Sequence, residues 1–153
     1  VTTKNCNTGN STVSHSSVQF RIAALNARSI SPKIDELRHV NMNEDYDVIV
    51  VTESWMSADE PSSLISIDGY STIRKDRQNQ RGGGILLYHK FNIPVKYVEL
   101  NDVDDEQLEI MCVTLKLSKN TIGLISIYRP EHIPYYNLDL ALDRDAGRLK
   151  KKQ

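Results

Sequence analysis

The segment that most limits the fold of this chain is a short run of β-branched residues that ends in a carboxylate. Val48, Ile49, Val50, Val51 and Thr52 follow one another, and Glu53 comes directly after them. A strand without polar and apolar alternation is typical of a strand that is buried on both faces of a sheet. We therefore predict a sheet-rich α/β protein in which Glu53 follows the end of a buried central strand.

The residues before this run predict a strand and a helix. Residues 18–25 form an apolar stretch that begins with alternating side chains and stops at Asn26. Ser31 and Pro32 are typical of a helix N-cap and a first helical residue, so a helix is expected over 32–43. The apolar residues expected on its buried face are Ile34, Leu37, Val40 and Met42.

A strand, a helix and a second strand in this order form a βαβ unit, whose strands lie parallel. Asn26 and Glu53 then follow the carboxyl ends of neighbouring strands, where open α/β sheets usually bind ligands. Amide and carboxylate oxygens are suitable ligands for Mg²⁺. The plainer explanation is that Asn26 is a turn residue and Glu53 marks the entry of a strand into solvent, and spacing alone favours it.

The remaining pattern divides the chain into three parts. Residues 1–17 are rich in Thr, Asn and Ser and are expected to be a disordered leader, whereas 18–130 form the folded domain and 131–153 a divergent C-terminal tail. No apolar run reaches the roughly 18 residues of a membrane span, so no membrane partner is expected. Further strands are predicted at 69–73, 82–88, 95–100, 108–117 and 121–128.

The clearest positive patch within the predicted domain is a connecting loop. The net charge of −1 provides no general attraction to nucleic acid, but Arg74, Lys75, Arg77 and Arg81 surround the single Asp76. Such a patch suits a phosphodiester backbone, and a solvated loop explains it equally well. The triple glycine that follows has neither P-loop nor dinucleotide-binding spacing and is interpreted as backbone plasticity at the start of a strand.

Seven short stretches, taken in chain order, resemble the endonuclease/exonuclease/phosphatase superfamily, and most of all the apurinic-type endonuclease domain of non-LTR (LINE-like) retrotransposons. The likeness covers about residues 18–130 and depends on the ordered series rather than on one motif. The stretches are Leu25-Asn26-Ala27-Arg28-Ser29, Lys33-Ile34-Asp35-Glu36-Leu37, residues 47–55, Gly69-Tyr70, Asp76-Arg77, Gly82-Gly83-Gly84 and Ile127-Tyr128-Arg129-Pro130.

The resemblance implies the first half of a four-layer α/β sandwich that cleaves DNA phosphodiesters with Mg²⁺ or a similar divalent cation. It implies that Glu53 binds the metal, that Asn26 helps to form the active site and that the Tyr128 hydroxyl contacts the scissile phosphate. Arg28 stands where some relatives have a second Asp or Asn. The residues expected to contact DNA are Arg77, Arg81 and Arg129. A retrotransposon origin would imply an associated reverse transcriptase and a nuclear location.

The resemblance also implies that part of the machinery is missing. The family's attacking water is activated by an Asp-His pair and oriented by an Asp-x-Asn element, and this sequence contains neither. We therefore expect a fragment that is inactive by itself, with an apolar sheet face left bare for the missing half or a protein partner. The alternatives are a non-catalytic nucleic-acid- or protein-binding remnant and a phosphatase of the same superfamily.

Overall fold

The chain folds into an α/β structure with two sheets, which the computed structural model describes for residues 19–77, 82–98, 108–118 and 120–134. One helix and two short 3-10 turns accompany the strands in these ranges. The strands are β1 (Ile22–Asn26), β2 (Val48–Thr52), β3 (Tyr70–Lys75), β4 (Ile85–Lys90), β5 (Val95–Val98), β6 (Glu109–Lys116) and β7 (Thr121–Tyr128). The helix α1 is Ile34–Glu44, and the 3-10 turns are Ser31–Lys33 and Ser62–Ile65.

The first sheet has the strand order β1-β2-β4-β3. Strands β1 and β2 are parallel, as the βαβ pattern predicts, and Asn26 lies opposite Thr52 in their register. Strand β4 is antiparallel to both β2 and β3. β2 therefore has a partner on each side, and its four residues from Val48 to Val51 are all buried, which explains why they show no polar alternation.

The second sheet is antiparallel, with the order β5-β6-β7, and it packs face to face on the first. The shared core contains residues of β2, β4 and β6: Val48, Val50, Ile85, Leu87, Met111, Val113 and Leu115. The expectation of a bare inner face on the first sheet is wrong at β2 and β4, because Val48, Ile85 and Leu87 are each 0% exposed. It holds at β1, where Ile22, the partner of Val48, is 44% exposed and Ala24, the partner of Val50, is also exposed. Among the described residues, the three strands of the second sheet cover the centre of that face and leave its β1 edge exposed.

The opposite face of the first sheet packs against α1 and the loops around it. Ile34 and Leu37 face this core as predicted, together with Ile49, Val51 and Tyr88 of the sheet. The predicted face is wrong towards the end of the helix, where Val40 is 41% and Met42 82% exposed.

Asn41 takes the buried place in the last turn of the helix. Its side-chain oxygen accepts hydrogen bonds from the Tyr70 hydroxyl (3.2 Å) and the Tyr46 N–H (3.2 Å). A polar residue with two partners can be buried where the hydrophobic pattern indicates an apolar one.

The start of the helix also differs from the prediction. Pro32 lies in the first turn, but Ser31 does not cap it: the chain enters through a 3-10 turn, and no side chain caps either segment. The Ser31 hydroxyl instead contacts the Met56 sulfur at 3.7 Å. In the part of the chain that the structure describes, no helix has the length and apolar character needed to cross a bilayer.

Candidate functional site

The candidate site lies at the carboxyl ends of β1 and β2. The Ala27 and Ser29 N–H groups donate to the carbonyls of Thr52 and Glu53, each at 2.9 Å, so the loops stay tied together beyond the strands. Glu53 has φ of +53°, which a non-glycine residue adopts only at some cost.

The Glu53 carboxylate accepts hydrogen bonds from three neutral side chains. The Tyr128 hydroxyl lowers the pKa of Glu53 the most; burial opposes this effect, and the Asn26 amide, the Trp55 indole and the charge of Arg28 lower it further. Three donors on one carboxylate favour its ionised form. The structure thus brings together Asn26, Glu53 and Tyr128, which lie far apart in the sequence, and keeps the carboxylate charged.

Tyr128 reaches this carboxylate from the other sheet, since it is the last residue of β7. Burial, followed by the hydrogen bond to Glu53 and the negative charge of that group, raises the pKa of Tyr128 to about 12. The phenol is therefore protonated at neutral pH and acts as a hydrogen-bond donor. The site therefore contains residues from both sheets, not only from the ends of β1 and β2.

The triple glycine, residues 82–84, lies beside the loop that carries Glu53 and bonds to it. Gly82, Gly83 and Gly84 all have positive φ, between +71° and +96°, a conformation that other residues rarely adopt. The carbonyls of Gly83 and Gly84 accept the N–H groups of Trp55 (2.9 Å) and Ser54 (3.2 Å). These glycines hold the loop that carries Glu53 in place, a role more specific than the plasticity expected from the sequence.

Sequence reasoning missed the group on which this glycine segment packs. Glu109, the first residue of β6, is only 7% exposed, and its Oε2 accepts the Gly84 N–H. Burial raises the pKa of Glu109, while the Gly84 N–H and the charges of Arg77 and Lys75 lower it. The available signal was a single carboxylate, Glu109, inside the otherwise apolar run from Leu108 to Val113.

The cationic residues expected to contact DNA have other partners here. Arg77 Nε lies 3.1 Å from Glu109 Oε1, and the Arg77 side chain is largely buried. Arg129 donates to the backbone carbonyls of Pro130, Glu131 and Ile133. Arg81 lies outside the described residues. A nucleic-acid contact by any of the three stays a prediction.

The donor set at the carboxylate fits a hard divalent cation. Glu53 is ionised and partly exposed, and Asn26, which donates its NH₂ to Glu53, retains a carbonyl oxygen as a second hard ligand. Among the described residues there is no group of three or more His, Cys, Asp or Glu side chains. These two ligands would therefore leave most of the ion's shell to water and phosphate, as Mg²⁺ sites commonly do.

The fold is similar to that of several nucleases of known structure, in agreement with the sequence resemblance. Similar structures include the endonuclease domain of TRAS1, a telomere-specific non-LTR retrotransposon (12% identity, TM-score 0.59, 88% of this chain and 55% of that chain). Two others are an AP endonuclease from Archaeoglobus fulgidus (17%, 0.58, 88% and 52%) and AP endonuclease LMAP from Leishmania major (18%, 0.56, 71% and 40%).

This chain spans only about half the length of these structures, 40% to 55%. At such identities the likeness shows the fold alone. No protein-family model matches the sequence, and no curated protein matches it either. What the chain does must therefore be argued from its own site.

The close packing of the glycine segment predicts how much stability a substitution at Gly84 costs, with Gly69 as the comparison. Gly69 and Gly84 have nearly the same φ, +84° and +86°, but an added Cβ meets nothing within 4 Å at Gly69 and lies 2.3 Å from Ser54 Oγ at Gly84. Gly69→Ala should cost about 1–2 kcal/mol for the left-handed backbone. Gly84→Ala should cost about 1–3 kcal/mol more through overpacking. Urea unfolding measures both, and equal losses would contradict the packing described here.

The hydrogen bonds to Glu53 predict a pH dependence that the single tryptophan can report. Because the pKa of Glu53 is lowered from 4.5, these bonds are intact above pH 4.5 and are lost as the pH falls through the lowered value. The Trp55 indole N–H resonance should titrate with a midpoint below 4.5. Tyr128→Phe should raise that midpoint, whereas Tyr97→Phe, which changes an exposed tyrosine of β5, should not. An unchanged midpoint in Tyr128→Phe would refute the contact.

Proposed function

We propose that this chain is the part of a DNA endonuclease domain that holds a divalent cation and the scissile phosphate. The observation that carries the proposal is the meeting of Asn26 and Tyr128 on an ionised Glu53, at the carboxyl ends of β1 and β2. The fold shared with AP endonucleases and a retrotransposon endonuclease domain supports a nuclease. DNA as the substrate and Mg²⁺ as the cation are parts of this proposal.

Each residue has a distinct role in the proposed site. Glu53 and the Asn26 carbonyl hold the cation, whose contribution when bound is to neutralise charge on the phosphate oxygens. Tyr128 is protonated at neutral pH, and its single O–H donates to Glu53 in the structure. When a cation occupies that carboxylate, the O–H is free to donate instead to a non-bridging oxygen that gains charge as water attacks phosphorus. The positive φ of Glu53 and the hydrogen bonds around it fix these groups before substrate arrives.

We further propose that the polypeptide alone does not complete the reaction. Hydrolysis needs a base to take the proton of the attacking water, and the Asp-His and Asp-x-Asn elements of the resemblance are missing from the sequence. The described part of the site offers hydrogen-bond donors and an ionised ligand whose lowered pKa makes it a weak base. Binding and positioning are the functions that these residues support.

Cation binding is the direct test of the proposed site. Tb³⁺ prefers the same hard oxygen ligands as Mg²⁺ and is sensitised by a neighbouring indole, and Trp55 is the only tryptophan in the chain. Luminescence excited through Trp55 should rise on Tb³⁺ addition and fall when Mg²⁺ competes. Glu53→Gln should weaken Tb³⁺ binding by more than about 100-fold, beyond the loss expected for an outer partner.

The control for that measurement is Glu36→Gln, which removes an exposed carboxylate in the first turn of α1. It should leave Tb³⁺ affinity unchanged. Equal Tb³⁺ affinity in wild type and Glu53→Gln would mean that the site does not bind a cation through Glu53, and the proposal would fail.

Plasmid nicking tests the second part of the proposal. With Mg²⁺ and supercoiled plasmid, we expect no conversion to the nicked form by this chain, because the general base is missing. Nicking by wild type that disappears in Glu53→Ala would overturn the proposed inactivity while supporting an endonuclease. Salt-sensitive DNA binding without nicking or Tb³⁺ binding would favour the alternative of a non-catalytic binding module.

A further inference from the structure

Glu109 is a buried carboxylate that lies outside the proposed cation site. Glu109 is 7% exposed, stands at the start of β6 and lies opposite Tyr128 in the register of β6 and β7. It is the closest residue of the neighbouring strand to the tyrosine that contacts Glu53. Burial of a carboxylate is costly unless its oxygens are well paired, so its position calls for an explanation.

The two oxygens of Glu109 connect the second sheet to the first. Oε2 accepts the Gly84 N–H just before β4, and Oε1 lies 3.1 Å from Arg77 Nε after β3. Lys75, the last residue of β3, adds a bond from its Nζ to the Ile110 carbonyl at 2.8 Å. Lys75, Arg77 and Gly84 thus attach the end of β3 and the start of β4 to the start of β6.

The fit between Glu109 and the glycines is close. A Cβ added at Gly83 would lie 2.0 Å from Glu109 Oε1, far inside contact distance. The carboxylate therefore occupies the space that a side chain would need at position 83. Its contact with the glycine backbone defines how near the two sheets come at the site.

The glycine segment connects Glu109 to the cation site through hydrogen bonds. The Gly83 carbonyl accepts the Trp55 N–H at 2.9 Å, and the Trp55 indole donates to Glu53. The Gly84 carbonyl accepts the N–H of Ser54, the residue after Glu53, at 3.2 Å. Glu109 is thereby connected to Glu53 through the glycines on one side and to Tyr128 through its own strand pairing on the other.

We propose that Glu109 is a positioning residue for the candidate cation site, setting the distance between the loop that carries Glu53 and the end of β7 that carries Tyr128. The inference rests on the proposed function for its consequence, cation binding, but its geometry is independent of any ion. Stability alone would not require a charge here, since an apolar side chain of similar size often stabilises a protein as well as a buried ion pair does.

The experiment compares Glu109→Ala and Glu109→Gln with Val113→Ala. Val113 is a fully buried residue of the same strand, four positions away and in the core between the sheets. Two readouts are taken under conditions where each variant is folded: the ¹H–¹⁵N resonance of the Trp55 indole without metal, and Tb³⁺ affinity from Trp55-sensitised luminescence. The first reports the position of the Glu53 loop directly, and the second reports its effect on binding.

Glu109→Ala should displace the indole resonance and weaken Tb³⁺ binding by about 10- to 100-fold, the usual effect of losing an outer partner of a metal ligand. Glu109→Gln keeps an acceptor for the Gly84 N–H and should displace the resonance less, in the same direction. Val113→Ala should lower the midpoint of urea unfolding while leaving both the resonance and the Tb³⁺ affinity at their wild-type values.

An indole resonance at the wild-type position in folded Glu109→Ala overturns the inference. Where Glu109→Ala does not fold, the same result in Glu109→Gln overturns it. An equal displacement in Val113→Ala also overturns it, because any loss of packing would then move the loop. Absence of Glu53-dependent Tb³⁺ binding in wild type refutes the proposed function instead, and the indole resonance still decides the role of Glu109.

Discussion

The close contact between a buried carboxylate and a glycine backbone is the constraint on which the site depends. Glu109 of the second sheet fits against Gly83 and Gly84, which precede β4 of the first sheet, because a glycine has no side chain. This contact allows Tyr128, at the end of β7, to reach Glu53, which follows β2.

The environment of Glu53 combines backbone strain with full hydrogen bonding. Its positive φ and that of Trp55 are unfavourable, but backbone bonds on both sides of the loop hold them in place. The hydrogen-bond donors around the carboxylate are neutral, and the charge of Arg28 has the smallest of the effects that lower the pKa of Glu53, so the group is ionised mainly through neutral donors. An incoming cation would then compete with hydrogen bonds rather than with a bound positive charge.

The sequence predicted the strands β1 and β2 better than the helix that packs on them. The parallel pairing of β1 and β2 follows from a βαβ pattern, and the second strand was recognisable because burial on both faces permits only apolar residues there. The helix was predicted less well, since Asn41 is buried and Met42 exposed. Tertiary hydrogen bonds from Tyr70 and Tyr46 permit that exchange, and no local pattern encodes them.

The sequence by itself determined that Asn26 and Glu53 lie at the carboxyl ends of neighbouring strands, because strand period and connection order are local properties of the chain. The convergence of Tyr128 on Glu53, and the ion pair of Arg77 with Glu109, were decided only by the tertiary structure. Those contacts join residues from two sheets, and their distances depend on how closely the sheets pack. That spacing is a collective result of the whole core, which no single segment of sequence specifies.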